Sequence, residues 1–181
     1  MSDSTHTRPL LSVVLPVWNG EHTLGRLLPR VFKVLEASVH GTTEVLVALP
    51  PGEPVAGLVE QAGARVVESP GAGYGAALNA GLAASRGRWV VTMDADFSHH
   101  PEFIRTLWLR RQDGELLIAS RYVAGAVASM PLTRRMLSRA LNRFYRATLA
   151  LPYQDLSSGF RMYSRHALDD IGPVEAPGLD S

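Results

Sequence analysis

Short apolar runs alternate along the chain with stretches whose apolar residues recur every three or four positions. LLSVVLPV (10–17), EVLVAL (44–49), ARVVES (64–69), RWVVTMD (88–94) and ELLIAS (115–120) have the length and β-branched content of buried strands. Between them lie helical patterns. The first, over 20–39, carries Leu24, Leu27, Leu28, Val31, Val34 and Leu35 on one face, with Pro29 as a candidate kink. Shorter helices are predicted over 54–63, 73–85 (with a glycine-rich start) and 101–112. Strands separated by helices predict an α/β fold with a mostly parallel central sheet covered on both faces. In such sheets ligands collect at the carboxyl ends of the strands. After Tyr122 the rhythm changes to a loop of small residues and an amphipathic helix over 132–151. Leu137, Leu141, Phe144 and Tyr145 run along one side of that helix, and Arg134, Arg135, Arg139, Arg143 and Arg146 along another. SGFRMYS (158–164) reads as a further strand.

Composition narrows the class without choosing a function. The chain has 181 residues, 46% hydrophobic and 19% charged, which suits one globular domain with a sizeable core. No apolar run has the length of a membrane span. The N-terminal MSDSTHTRP lacks the apolar core of an export signal, so a cytoplasmic location is expected. The absence of cysteine excludes disulfides, thiolate metal sites and a cysteine nucleophile. The net charge of +1 conceals an asymmetry: residues 131–165 hold seven arginines and one acid, Asp155. Arginine is the better bidentate partner for phosphate. No nucleic-acid partner is expected.

The chemistry concentrates in VVTMDADFSHHPEF (90–103). Residues i and i+2 of a strand share a side, so Asp94 and Asp96 are expected to face one site. Two adjacent carboxylates repel unless something compensates. A hard cation, Mg²⁺ or Mn²⁺, does so, with waters and substrate phosphates completing its shell. The same residues also suit a helix cap beside a solvated carboxylate. His99 and His100 lack metal-ligand spacing and fit the start of the next helix. A second motif competes. GAGYGA (71–76) follows a strand, opens a helix, and has an acid about 20 residues on, as a dinucleotide fingerprint does. An NAD-type oxidoreductase is the function it would imply.

Taken in order, SVVLPVWNGEHTL, GYGAALNAGLAASRGRWVVTMDADFSHHPEFI, ASRYVAGAV, RRMLSRALNR and DLSSGFRMYSR resemble family 2 glycosyltransferases of the GT-A fold. More narrowly, they resemble the dolichol-phosphate and polyprenol-phosphate mannosyltransferases, over roughly residues 11–165. The resemblance implies a Rossmann-like three-layer α/β/α architecture in a single domain over 1–181. Its nucleotide-sugar half would span about 10–122 and its acceptor side about 123–165. It implies an inverting enzyme moving a sugar from a nucleotide-diphosphate donor to a polyprenyl phosphate, with peripheral contact at the cytoplasmic face of the membrane. GDP-mannose is the favoured donor, and a UDP-sugar stays open. Asp96, with Ser98, would hold Mg²⁺ or Mn²⁺, and Asp94 and Asp96 carry the catalytic assignment. Pro16, Trp18, Asn19, Glu21, Val47, Asp94, Ala95 and Asp96 would contact the donor. Arg121, Arg134 and Ser138 would meet phosphate, the last two on the acceptor side.

Three departures stand against that pattern. The acidic pair expected at the end of the second strand is replaced by Ala48 and Leu49. The glutamate after Asn19 is displaced to Glu21, with Gly20 in its place. The chain also stops soon after SGFRMYS, which leaves the acceptor side short. A catalytically degenerate nucleotide-binding domain or partner subunit is therefore the alternative expectation.

Overall fold

The computed structural model describes residues 8–18, 21–98, 100–119 and 159–172. Six strands form one sheet in the order β3-β2-β1-β4-β6-β5. They are β1 (Leu11–Pro16), β2 (Thr43–Leu49), β3 (Arg65–Glu68), β4 (Trp89–Thr92), β5 (Leu116–Ile118) and β6 (Arg161–Ser164). β1 pairs in parallel with β2 on one side and β4 on the other, and β3 pairs in parallel with β2. β6 runs antiparallel between β4 and β5, so five strands share a direction and one opposes them. The expected mostly parallel sheet is present, and 158–164 supplies its one reversed strand. The amphipathic stretch 132–151 lies outside the described residues.

Burial explains why β1 reads as an unbroken apolar run. It is the inner strand, covered on both faces, and all six of its residues are buried. α1 (Leu24–Ser38) lays Leu24, Leu27, Leu28, Val31 and Leu35 into the core, close to the face that the apolar spacing predicted. Pro29 lies inside it and removes one backbone hydrogen bond. α2 (Ala56–Gln61), α3 (Tyr74–Ala84) and α4 (Phe103–Leu109) complete the crossovers. α5 (Arg165–Ile171) follows β6 directly, capped by the Ser164 hydroxyl, which accepts from the Ala167 amide at 3.0 Å.

A polar cluster closes the end of the sheet where β1 and β2 begin. The buried Ser12 hydroxyl donates to Glu44 Oε1 at 2.6 Å and accepts from the Gly87 amide at 2.7 Å. Glu44 also accepts from the Arg86 amide at 2.6 Å and pairs with the Arg65 guanidinium at 3.4 Å. Burial alone would raise the Glu44 carboxyl. The Ser12 and Arg86 hydrogen bonds and the Arg65 charge outweigh it and hold the group below its ordinary value of 4.5. A carboxylate depressed on folding contributes stability in full above its unfolded value, and loses it as pH falls through the folded one. Glu44→Gln is therefore expected to cost about 1–3 kcal/mol at neutral pH. Chemical denaturation of both proteins should show that gap closing as pH drops below about 4.5.

Candidate active site

The strand order reverses direction between β1 and β4, and a ligand crevice is expected at the carboxyl end of such a switch point. DAD stands there. β4 ends at Thr92, short of the predicted 94, so Asp94 and Asp96 follow the strand rather than alternate along it. The chain turns at Ala95–Asp96, and the two carboxylates have different hydrogen-bond partners. This corrects the basis of the expectation: strand alternation does not extend to the pair, because the strand ends before Asp94.

Ala95 is buried, and its carbonyl accepts the Thr23 hydroxyl from the turn that leads into α1. Asp96 is exposed, and its Oδ1 accepts the Ser98 amide at 2.8 Å. Between them Phe97 takes a left-handed backbone, φ 58°, which the Asx-type bond at Asp96 supports. The Arg26 and Arg30 guanidinia lie 5.8 and 5.5 Å from the Phe97 ring centroid, so α1 holds the turn from outside. Ser98 thus contributes its amide to shaping the Asp96 turn. His100 lies at the start of α4, its carbonyl accepting the Phe103 amide at 3.1 Å, in keeping with a helix-start role.

Asp94 is half-buried. Its Oδ1 accepts the Tyr74 hydroxyl at 2.8 Å. A Cβ placed on Gly159 would stand 2.5 Å from Asp94 Oδ1 and 2.9 Å from the Tyr74 hydroxyl, so any larger residue would have to move one of these side chains. The Thr92 hydroxyl donates to the Gly159 carbonyl at 2.8 Å and ties the approach to β6 onto the end of β4. Tyr74, Leu78, Thr92, Asp94, Gly159, Arg161 and Tyr163 line a cavity of about 300 Å³. Tyr74 keeps 39% of its surface exposed. Burial of its hydroxyl, then the Asp94 charge, push its ionisation well above the ordinary range. Tyr74 therefore stays protonated and acts as the donor.

Other expected site residues differ in their placement. Trp18, 43% exposed, projects at the carboxyl end of β1. Pro16 and Val47 are buried, Val47 inside the sheet between β1 and β3. Ala48 and Leu49 are buried as well, and the end of β2 presents no carboxylate. Glu21 opens the short turn before α1. Asn19, His99, Arg121, Arg134 and Ser138 lie outside the described residues. Tyr74, Gly159, Arg161 and Tyr163 were not among the sequence-predicted contacts. The signal was present, since Tyr74 lies inside GAGYGA and Gly159 and Arg161 inside SGFR, but only the fold brings these motifs beside Asp94.

The dinucleotide reading of GAGYGA does not hold. The motif follows β3, an edge strand, instead of the first strand. Gly73 has φ 93° and turns the chain into α3, which delivers Tyr74 to Asp94.

Among the described residues no three His, Cys, Asp or Glu side chains converge on a point that could hold a metal ion. The donor set instead suits a hard cation bound by one exposed carboxylate, Asp96, with the remaining positions left to water and a ligand's phosphates.

Residues 12–172 match the model of Glycosyl transferase family 2, and the chain belongs to that family. It has the GT-A fold of that family, and it spans a little over half the length of the solved structures it matches. It is similar to the dolichyl-phosphate hexose transferase of Haloferax volcanii, 26% identical over 171 residues, covering 94% of this chain and 73% of that one. It is 40% identical over 114 residues to the polyprenol monophosphomannose synthase of Mycolicibacterium smegmatis, covering 59% of this chain and 43% of that one. Among solved structures it resembles glucosyl-3-phosphoglycerate synthase of Mycobacterium tuberculosis in complex with phosphoglyceric acid. That match has a TM-score of 0.65 and 28% identity, and covers 89% of this chain and 58% of the other. The same mycobacterial enzyme has been solved with Mn²⁺, UDP-glucose and phosphoglyceric acid, and with Mg²⁺ and UDP, so divalent metal use occurs within this fold group.

Gly159→Ala should force Asp94 or Tyr74 aside. The expected cost is about 1–3 kcal/mol, read as a lowered thermal midpoint against wild type.

Proposed function

We propose that this chain transfers a hexose, mannose being favoured, from a nucleoside-diphosphate sugar to a polyprenyl phosphate at the membrane surface, with inversion. The observation that supports it best is the exposed Asp96 turn at the β1–β4 switch point, beside the Asp94 cavity. The acceptor class is supported by the two curated relatives, whose names specify dolichyl-phosphate and polyprenol-phosphate chemistry.

In this reading Asp96, with the turn that Ser98 shapes, is where Mg²⁺ or Mn²⁺ would be held, and the ion would offset charge on the departing diphosphate. Asp94 and the Ala95 backbone orient the nucleotide, and Trp18 supplies an exposed ring on the other side of the crevice. An acceptor phosphate oxygen is already anionic at neutral pH. It attacks the anomeric carbon as the bond to the donor phosphate breaks, and no general base is required. Arg121, Arg134 and Ser138 are the proposed phosphate contacts. The arginine-rich 132–151 segment is the proposed contact with an anionic membrane surface. No described helix is long and apolar enough to cross a membrane. Because β2 ends in Ala48 and Leu49, the base is selected by groups other than a carboxylate there, and GDP and UDP donors both belong in the test.

The experiment is transfer of labelled sugar from GDP-mannose and UDP-glucose, with Mn²⁺, to polyprenyl phosphate in detergent and, separately, to phosphoglyceric acid. Transfer to the lipid alone supports the proposal, and transfer to phosphoglyceric acid alone replaces its acceptor. Metal-dependent nucleotide binding without either transfer would leave a donor-binding partner subunit. Asp96→Asn is expected to lower metal-dependent transfer at least a hundredfold, and unchanged transfer in that variant would remove Asp96 from the mechanism.

A further inference from the structure

Asp94 is enclosed in a way that Asp96 is not. Tyr74, the first residue of α3, reaches across the crevice and donates to Asp94 Oδ1 at 2.8 Å. Gly159 closes the carboxylate from another side, so close that a Cβ would lie 2.5 Å from Oδ1 and 2.8 Å from Oδ2. The Thr92 hydroxyl fixes Gly159 in place through its carbonyl. An unrestrained aspartate loses side-chain freedom when a ligand orders it, and that loss weakens binding. Here the ordering is built into the protein.

We propose that Tyr74 is a positioning residue of the donor site: its hydroxyl holds Asp94 in the one orientation in which the carboxylate meets the nucleotide. Tyr74 acts through Asp94, and Gly159 acts as the stop that prevents the carboxylate from swinging away. The inference rests on the donor reading given above and adds to it a residue whose role is separate from the metal-bearing Asp96 turn.

The test is calorimetric titration of UDP and GDP in the presence of Mn²⁺ into wild type, Tyr74→Phe, Asp94→Ala and the double variant. Tyr74→Phe keeps the ring and removes one hydroxyl. It is expected to weaken nucleotide binding about tenfold, the scale of a lost hydrogen bond to a charged group. Its melting temperature should fall by no more than about 4 °C. In the Asp94→Ala background, the same substitution is expected to change nothing further. Wild-type affinity in Tyr74→Phe overturns the inference and leaves the donor site standing. An equal loss in both backgrounds also overturns it, because Tyr74 would then act independently of Asp94. Failure of wild type to bind either nucleotide removes the donor reading and the inference together. If Asp94→Ala binds too weakly to measure, crystals of Tyr74→Phe decide: Asp94 spread over several rotamers supports the role, and a single wild-type orientation refutes it.

Discussion

Everything at the candidate site depends on the parallel pairing of β1 with β4. The register sets Leu11 opposite Trp89 and Val14 opposite Thr92, so both strands end at the same edge. Pro16–Trp18 and Asp94–Asp96 leave that edge side by side. Strands on the two sides of this pair connect in opposite senses, so their crossovers diverge and leave a crevice between them. The crevice is a consequence of topology, and the side chains placed there decide its chemistry.

The two carboxylates illustrate how a short motif divides labour once the chain bends. In an extended strand they would share a side. Past the turn at Ala95 they have different surroundings, with Asp94 half-buried beside Tyr74 of α3 and Gly159, and Asp96 exposed. Ala95 is buried, and its carbonyl is tied to Thr23. A small residue therefore serves between the acids, because a larger one would press into the packed end of α1. The left-handed Phe97, flanked by two arginines of α1, keeps the tip from relaxing back into strand geometry.

Much of this was legible beforehand. Continuous apolar runs gave the strands, and helical spacing gave α1 to within a residue or two of its buried face. The DAD motif in its surroundings gave the family. What the sequence could not convey was proximity across long separations. Tyr74 and Asp94 are 20 residues apart, and Gly159 comes 65 residues after Asp94. Nothing local to GAGYGA says that its tyrosine, more than its glycines, touches the site. Glu44 was hidden for the same reason: at the first position of EVLVAL it reads as a solvated strand end, and only the neighbouring strands reveal Ser12, Arg65 and Arg86 around it. Strand alternation does not describe Asp94 and Asp96, because the strand ends at Thr92, one residue before its apolar run does.

The reversed strand has a consequence for the order in which the molecule assembles. β1, β2 and β3 can be laid down from neighbouring stretches of chain, each pair joined by its own helix, and β4 returns to the free side of β1 after α3. β5 has no such neighbour, since among the described strands it pairs with β6 alone, and β6 begins more than forty residues later. As the chain emerges from a ribosome, Leu116–Ile118 must wait for Arg161–Ser164 before it has a ladder to join. The same late arrival brings Gly159 against Asp94. The cavity beside Asp94 therefore takes its described shape only after Arg161–Ser164 has joined β4, so the edge of the sheet and the wall of the cavity form together.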